Sequence, residues 1–118
     1  MRPRVLLLDD DDLVRALIVF AIEDMDIELV ECTSVAQAME RMRAAPVQLL
    51  LTDLMMPGES GISFIGRLVD EPALAASVRI VVFSAGLTQD MREQLAPLPI
   101  WRLLSKPASI SAVRNCVE

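Results

Sequence analysis

The sequence predicts an α/β domain in which a five-stranded parallel sheet carries helices on both faces. Three observations predict it. Five short apolar runs, residues 5–8, 27–30, 47–51, 80–83 and 100–104, have the length of strands. Between and after them lie segments whose apolar residues recur at helical spacing. The order is strand then helix, repeated through the chain, and such alternation means parallel strands joined by right-handed crossovers.

The first run ends on four aspartates. Val14, Leu17, Ile18, Ala21, Ile22 and Met25 then follow the i, i+3, i+4, i+7, i+8, i+11 pattern of a core-facing stripe. Leu13, Ala16 and Phe20 make a second apolar line on the same helix, with Val19 beside it, and an exposed aromatic in such a line marks a binding surface. The second run carries Glu28 and is followed by Glu31, so it reads as an edge strand. Ser34 with Gln37 three residues on forms a capping box before Val35, Ala38, Met39 and Met42. The third and fourth runs are continuously apolar, as strands buried on both faces must be. Ile62, Ile65 and Val69 mark a third helix, and Met91 and Leu95 a short fourth that Pro97 and Pro99 stop. The fifth run contains Arg102 and reads as the other edge. Strand alternation puts Trp101 and Leu103 on one side of it. Ser109 is placed to cap a fifth helix through Ile110, Val113 and Val117. This polarity fits strand order 2-1-3-4-5, the flavodoxin-like doubly wound sheet, with five helices on its two faces.

At 118 residues the chain has the length of one domain. Its 53% hydrophobic and 24% charged residues exclude a disordered chain. Eleven Lys and Arg against 17 Asp and Glu leave a net charge of −6. That balance argues against nucleic-acid binding by this domain alone and against a basic membrane-surface helix. Histidine is absent, which removes any mechanism with a histidine base, nucleophile or metal ligand. Cys32 and Cys116 form no CxxC and read as buried free thiols of a reducing cytosol, so a cytoplasmic location is expected. Arg2 and Arg4 precede too short an apolar run for a secretory signal, which takes roughly 7–15 apolar residues. The apolar helical stretch 16–22 falls short of the ~20 residues needed to span a bilayer.

In an open α/β sheet, ligands bind beyond the carboxyl ends of the strands. There the first strand delivers Asp9, Asp10, Asp11 and Asp12, the third Asp53, the fourth Ser84 and the fifth Lys106. Asp11 and Asp12 read as helix N-terminal capping and dipole residues. Carboxylates from two adjacent central strands repel one another, and a hard divalent cation such as Mg²⁺ relieves them, with Lys106 offsetting the remaining charge. With no histidine present, the natural reactive group is a carboxylate nucleophile that forms an aspartyl phosphate. A metal ion, an ammonium and a hydroxyl suit the oxygens of a transferring phosphoryl group.

Four motifs in order carry a family resemblance: Val5-Leu6-Leu7-Leu8-Asp9-Asp10-Asp11, then Leu51-Thr52-Asp53-Leu54-Met55-Met56-Pro57-Gly58 with Gly61, then Phe83-Ser84-Ala85, then Ser105-Lys106-Pro107. Asp53 follows Asp9 by 44 residues, Ser84 follows Asp53 by 31, and Lys106 follows Ser84 by 22. The pattern resembles the receiver domain of two-component response regulators over almost the whole chain, one receiver domain at 1–118. The resemblance implies that Asp53 is the phosphoacceptor. It implies that Asp9 and Asp10 hold Mg²⁺ with Asp53 and the Met55 backbone carbonyl, and that Ser84 and Lys106 contact the phosphoryl group. It implies a Lys106–Pro107 bond that is often cis. The partners it implies are a sensor histidine kinase or histidine phosphotransfer protein, whose four-helix bundle docks beside the first helix, and a homodimer through the face of helix 4, strand 5 and helix 5.

The chain departs from the family at Leu103, where the family usually has an aromatic residue, at Ser60, where an acidic residue is common, and at Pro97 and Pro99. Trp101 is the candidate to replace the missing aromatic. Two rival functions stand beside the phosphoacceptor. A haloacid-dehalogenase-type phosphatase also uses an Asp nucleophile and Mg²⁺, but it has an Asp-x-Asp followed by Thr, whereas this chain has Met55 two residues after Asp53. A receiver relic that only binds proteins would have lost Asp53, the acidic pair or Lys106, and all are present.

Overall fold

The computed structural model describes residues 2–56, 58–76, 78–106 and 109–117. Strands β1 (Arg4–Leu8), β2 (Glu28–Cys32), β3 (Leu49–Asp53), β4 (Arg79–Ser84) and β5 (Ile100–Ser105) form one parallel sheet in the order β2-β1-β3-β4-β5. The polarity expected of each strand matches its place. β1 and β3 are buried along their whole length, and β4 after its first residue, whereas the edge strands β2 and β5 expose Glu28, Glu31 and Arg102.

Six helices occur among the described residues: α1 (Asp12–Ile22), α2 (Val35–Ala44), α3 (Gly61–Val69), α4 (Pro72–Ala75), α5 (Gln89–Leu95) and α6 (Ile110–Val117). The sequence reading expected five. The addition is α4, one turn started by Pro72, whose fixed φ and missing N–H suit a first helical position. Four residues are too few to show a helical period.

The sheet divides the apolar core in two. Alternate residues Leu6, Leu8, Leu50, Ile80 and Val82 pack under α2, α3 and α5. Val5, Leu7, Leu49, Leu51, Val81 and Phe83 pack under α1 and α6. Burying each such side chain is worth about 1.5–3 kcal/mol, so the two layers together hold the helices on the sheet.

The helix starts follow local chemistry. Asp11 caps α1, accepting from the N–H groups of Leu13 and Val14, as expected for an aspartate in that place. Ser34 accepts from the Gln37 N–H at 3.2 Å, but the Gln37 side chain returns to the Thr33 N–H, one residue before the usual capping-box partner. Ser109 Oγ accepts from the Ala112 N–H at 3.0 Å at the start of α6.

Three stripe expectations are corrected. Leu17 was expected in the core, but it is 58% exposed on the flank of α1 that faces a groove toward α6. In α3 the buried apolar residues are Phe64, Ile65 and Leu68, and Val69 lies outside. Trp101 and Leu103 do not share a side. A register shift pairs Ile80 with Ile100 but Val81 with Arg102, so Trp101 is the extra residue of a bulge. The guanidinium groups of Arg79 and Arg102 lie over the Trp101 ring, at 4.7 and 4.6 Å from its centre. Leu103 pairs with Val82 on the other face.

One glycine fixes how closely α3 approaches β3. A Cβ on Gly61 would lie 2.3 Å from the Asp53 carbonyl oxygen and 2.8 Å from Leu54 Cα, both backbone atoms. Gly66, in the same helix, has open space around it. Gly61→Ala is therefore expected to destabilise the domain by about 1–3 kcal/mol through overpacking. Gly66→Ala should stabilise it by up to ~1 kcal/mol through helix propensity. Urea denaturation of the two variants checks the opposite signs.

Candidate functional site

The carboxyl ends of the strands gather the expected side chains into one rim. β1 stops at Leu8 and leaves Asp9 fully buried at its tip, with Asp10 next and exposed. Asp53 ends β3 and Ser84 ends β4, both buried, and Lys106 follows β5 directly. Oxygen atoms of Asp9, Asp10 and Asp53 lie within 4.8 Å of one another. The Lys106 ammonium reaches across from β5, 3.0 Å from Asp9 Oδ2 and 3.2 Å from Asp53 Oδ1.

Each group is held by the backbone around it. The Asp9 N–H donates to the Cys32 carbonyl at 3.2 Å, which ties the tip of β1 to the end of β2. Asp9 Oδ1 accepts from the Asp11 N–H at 2.9 Å. Asp53 Oδ1 accepts from the Leu54 N–H at 2.8 Å, and the Met55 N–H also favours the Asp53 carboxylate. The Lys106 N–H donates to the Ser84 carbonyl at 2.9 Å, which sets the start of the lysine side chain beside β4. Ser84 Oγ is buried and has no hydrogen-bond partner among the described residues. The loop after Asp53 turns through Gly58, whose φ of 87° is costly for any residue with a Cβ.

The electrostatics follow from this crowding. Burial raises the pKa of Asp53 above its usual 3.8, and the neighbouring Asp9 charge raises it further, against the opposing pull of Lys106. Burial works against the Lys106 ammonium, but its bond to Asp9 and the charges of Asp53 and Asp9 outweigh burial and hold its pKa above the usual 10.5. Three carboxylates against one ammonium leave two negative charges, which one divalent cation balances. All the donors are oxygens, one carboxylate is open to solvent, and a buried hydroxyl stands free at the rim. This set fits a hard cation such as Mg²⁺ that keeps part of its water shell.

Asp9, Asp10, Asp53, Ser84 and Lys106 thus come together at one rim, although they are spread over most of the chain. Met55 stands beside them with its side chain exposed. The expectation of a cis Lys106–Pro107 bond falls on a residue outside those described. Sequence reasoning missed Arg15, whose guanidinium donates to the Asp9 carbonyl at 2.6 Å and pairs with Asp12 and, at 3.5 Å, with Glu31. Its one sequence signal is the i, i+3 spacing from Asp12.

Beside the rim, an apolar groove of about 360 Å³ runs between α1 and α6 from Lys106 and Ala85 past Leu17, Phe20 and Ile110. Phe20 is 65% exposed and Leu13 69%, so the second apolar line of α1 does face outward. No helix among the described residues is long and apolar enough to cross a membrane.

Residues 5–118 match the family described as response regulator receiver domain. The chain is 36% identical over 116 residues to the response regulator receiver protein CpdR of Brucella abortus, covering 98% of this chain and 93% of CpdR. It is 34% identical over 117 residues to the sensor histidine kinase TmoS of Ectopseudomonas mendocina, covering 99% of this chain but only 12% of that kinase. A response regulator receiver protein from Pseudomonas putida has the same fold, with a TM-score of 0.90 at 24% identity over 99% of this chain and 96% of that one. So does a response regulator from Burkholderia pseudomallei solved with a phosphorylated aspartic acid, a calcium ion and citrate, with a TM-score of 0.84 at 20% identity over 98% of this chain and 66% of that one.

The raised pKa of Asp53 has a consequence for stability. Below about pH 3.8 the group is protonated folded and unfolded, and it costs nothing. As the pH rises from there to the folded-state pKa, the unfolded chain releases the proton first, so stability falls and stays lower at neutral pH. Asp53→Asn removes that cost. Without divalent cations it should raise the melting temperature by a few degrees at pH 7, and the gain should shrink as the pH is lowered toward 4. Thermal unfolding in chelator across this range checks the sign.

Proposed function

The chain belongs to the response regulator receiver domain family of two-component signalling, and on that premise we propose that it is a phosphoacceptor whose reacting group is the Asp53 carboxylate. The observation that carries this reading is the Lys106 ammonium held at 3.0 and 3.2 Å between Asp9 and Asp53 at the sheet rim. It keeps Asp53 fixed while leaving the ammonium beside the place where phosphoryl charge would develop.

In the proposed reaction a carboxylate oxygen of Asp53 forms a bond to phosphorus as the bond from phosphorus to a donor nitrogen breaks. The electron pair of that bond stays on the nitrogen. The Lys106 ammonium and the free Ser84 hydroxyl are the groups that would donate to the phosphoryl oxygens. Asp9, Asp10, Asp53 and the Met55 backbone carbonyl would hold Mg²⁺. When bound, the ion supplies neutralising charge to the phosphoryl oxygens. The calcium ion and phosphorylated aspartic acid of the Burkholderia protein support the same use of such a rim.

The donor would be a sensor histidine kinase or a histidine phosphotransfer protein in the cytoplasm, and the receiver domain would fill residues 1–118. The similarity to part of a sensor kinase and to most of a receiver protein supports a phosphorelay role. The groove beside Lys106, with Phe20, Leu17, Leu13 and Ile110 exposed around it, is an apolar seat for the helices of that donor. A homodimer through α5, β5 and α6 is the second contact proposed, supported by exposed Trp101 and Leu103 on β5. Net charge −6 supports a module that does not bind nucleic acid by itself. No enzymatic turnover is proposed.

Incubation with a small-molecule phosphodonor and Mg²⁺, followed by intact mass, should show one added phosphoryl group that Asp53→Asn abolishes. Phe20→Ala should keep that reaction and slow transfer from the protein donor by about tenfold or more, the scale of losing a central aromatic contact. Continuous turnover of the phosphodonor would point to a phosphatase, no added mass to a relic, and equal loss with both donors to Phe20 as a packing residue.

A further inference from the structure

Asp9 lies one residue beyond β1. Its N–H is taken by the Cys32 carbonyl, and its carboxylate by the Asp11 N–H and the Lys106 ammonium. Its carbonyl is taken by Arg15, at 2.6 Å. That carbonyl belongs to the peptide leading into Asp10. Among the described residues, nothing holds the Asp10 carboxylate, which is exposed yet converges with Asp9 and Asp53. The direction of Asp10 therefore depends on how this peptide plane is turned, and Arg15 is what holds it.

The guanidinium is itself well fixed. Its side chain is largely buried, at 13% exposure, and is anchored by Asp12 on its own helix and by Glu31 on β2. Two opposite effects meet here. A positive charge near the rim repels a cation, whereas a fixed Asp9–Asp10 peptide assembles its ligands. Asp12 and Glu31 already offset the charge of Arg15, so the repulsion reaching the rim is small and the geometric effect dominates.

We infer that Arg15 is a positioning residue for divalent-cation binding, turning the Asp9–Asp10 peptide so that Asp10 joins Asp9 and Asp53. This rests on the metal-binding reading given above. Groups behind metal ligands typically change affinity by about 10–100-fold when removed. Arg15→Ala is expected to raise the Mg²⁺ dissociation constant by about tenfold, toward the lower end of that range because the contact is to one carbonyl. Arg15→Lys keeps the charge but loses the planar fork, and should fall between Ala and wild type. Glu31→Gln loosens the guanidinium without touching Asp9, and should weaken binding less than Arg15→Ala.

The test is calorimetric titration of Mg²⁺ into the apo proteins, with phosphorylation by a small phosphodonor followed against Mg²⁺ concentration. The expected result is a raised dissociation constant and a raised half-saturating Mg²⁺ concentration, with the maximal rate recovered at saturation. Unchanged or tighter Mg²⁺ binding in Arg15→Ala would overturn the inference, as would a lost maximal rate with unchanged affinity. If Arg15→Ala does not fold by circular dichroism, Arg15→Lys and Glu31→Gln decide by the same criterion. Wild type that binds no Mg²⁺ would overturn the metal-binding reading itself, and this inference with it.

Discussion

One ammonium, that of Lys106, lets two buried carboxylates from neighbouring strands share the end of a sheet. Asp9 and Asp53 come from β1 and β3, which are paired directly, so their side chains leave the sheet side by side. Without that ammonium, nothing from β5 would oppose the push of the Asp9 charge on the Asp53 pKa. Lys106 comes from the far end of the chain and reaches both, 97 residues from Asp9. The rim therefore depends on the whole doubly wound topology, since only after β5 has joined β4 does the lysine arrive. Even then two negative charges remain uncompensated. The rim thus carries excess negative charge, and that excess is the physical basis for the cation binding proposed above.

The two faces of the sheet are finished differently. On the face of α2, α3 and α5, Gly61 lets α3 sit directly against the backbone of Asp53 and Leu54. On the other face, α1 and α6 cover the sheet but leave a groove open beside Lys106, lined by side chains that a lone domain has no reason to expose. Arg114 draws the two helices together, donating to the Ala21 carbonyl at 2.9 Å and to Asp24 at 2.6 Å. The acidic rim and the apolar groove are thus adjacent, with Lys106 bordering both.

Much of this was legible because the strands differ in polarity. Continuous apolar runs for β3 and β4, and charged residues at β2 and β5, are enough to order the sheet, and the topology then brings distant strand-end residues to one rim. What escaped has physical reasons. The single turn of α4 is too short to show a period. The alternation argument for Trp101 and Leu103 assumes an unbroken strand, and the bulge at Trp101 shifts every residue after it by one. Leu17 obeys helical spacing but lies on a flank that is left exposed among the described residues, which periodicity cannot see. Arg15 acts on a backbone carbonyl, and no residue pattern marks such a partner.

Melting temperature with and without millimolar Mg²⁺, in wild type and in Asp10→Asn, tests the central claim most directly. A ligand at 100 times its dissociation constant stabilises the folded state by about 2.7 kcal/mol. A clear rise in wild type and little in Asp10→Asn is the predicted result, because that variant removes the solvent-open member of the acidic group. Equal responses in the two proteins would contradict the assignment of the rim as a cation site.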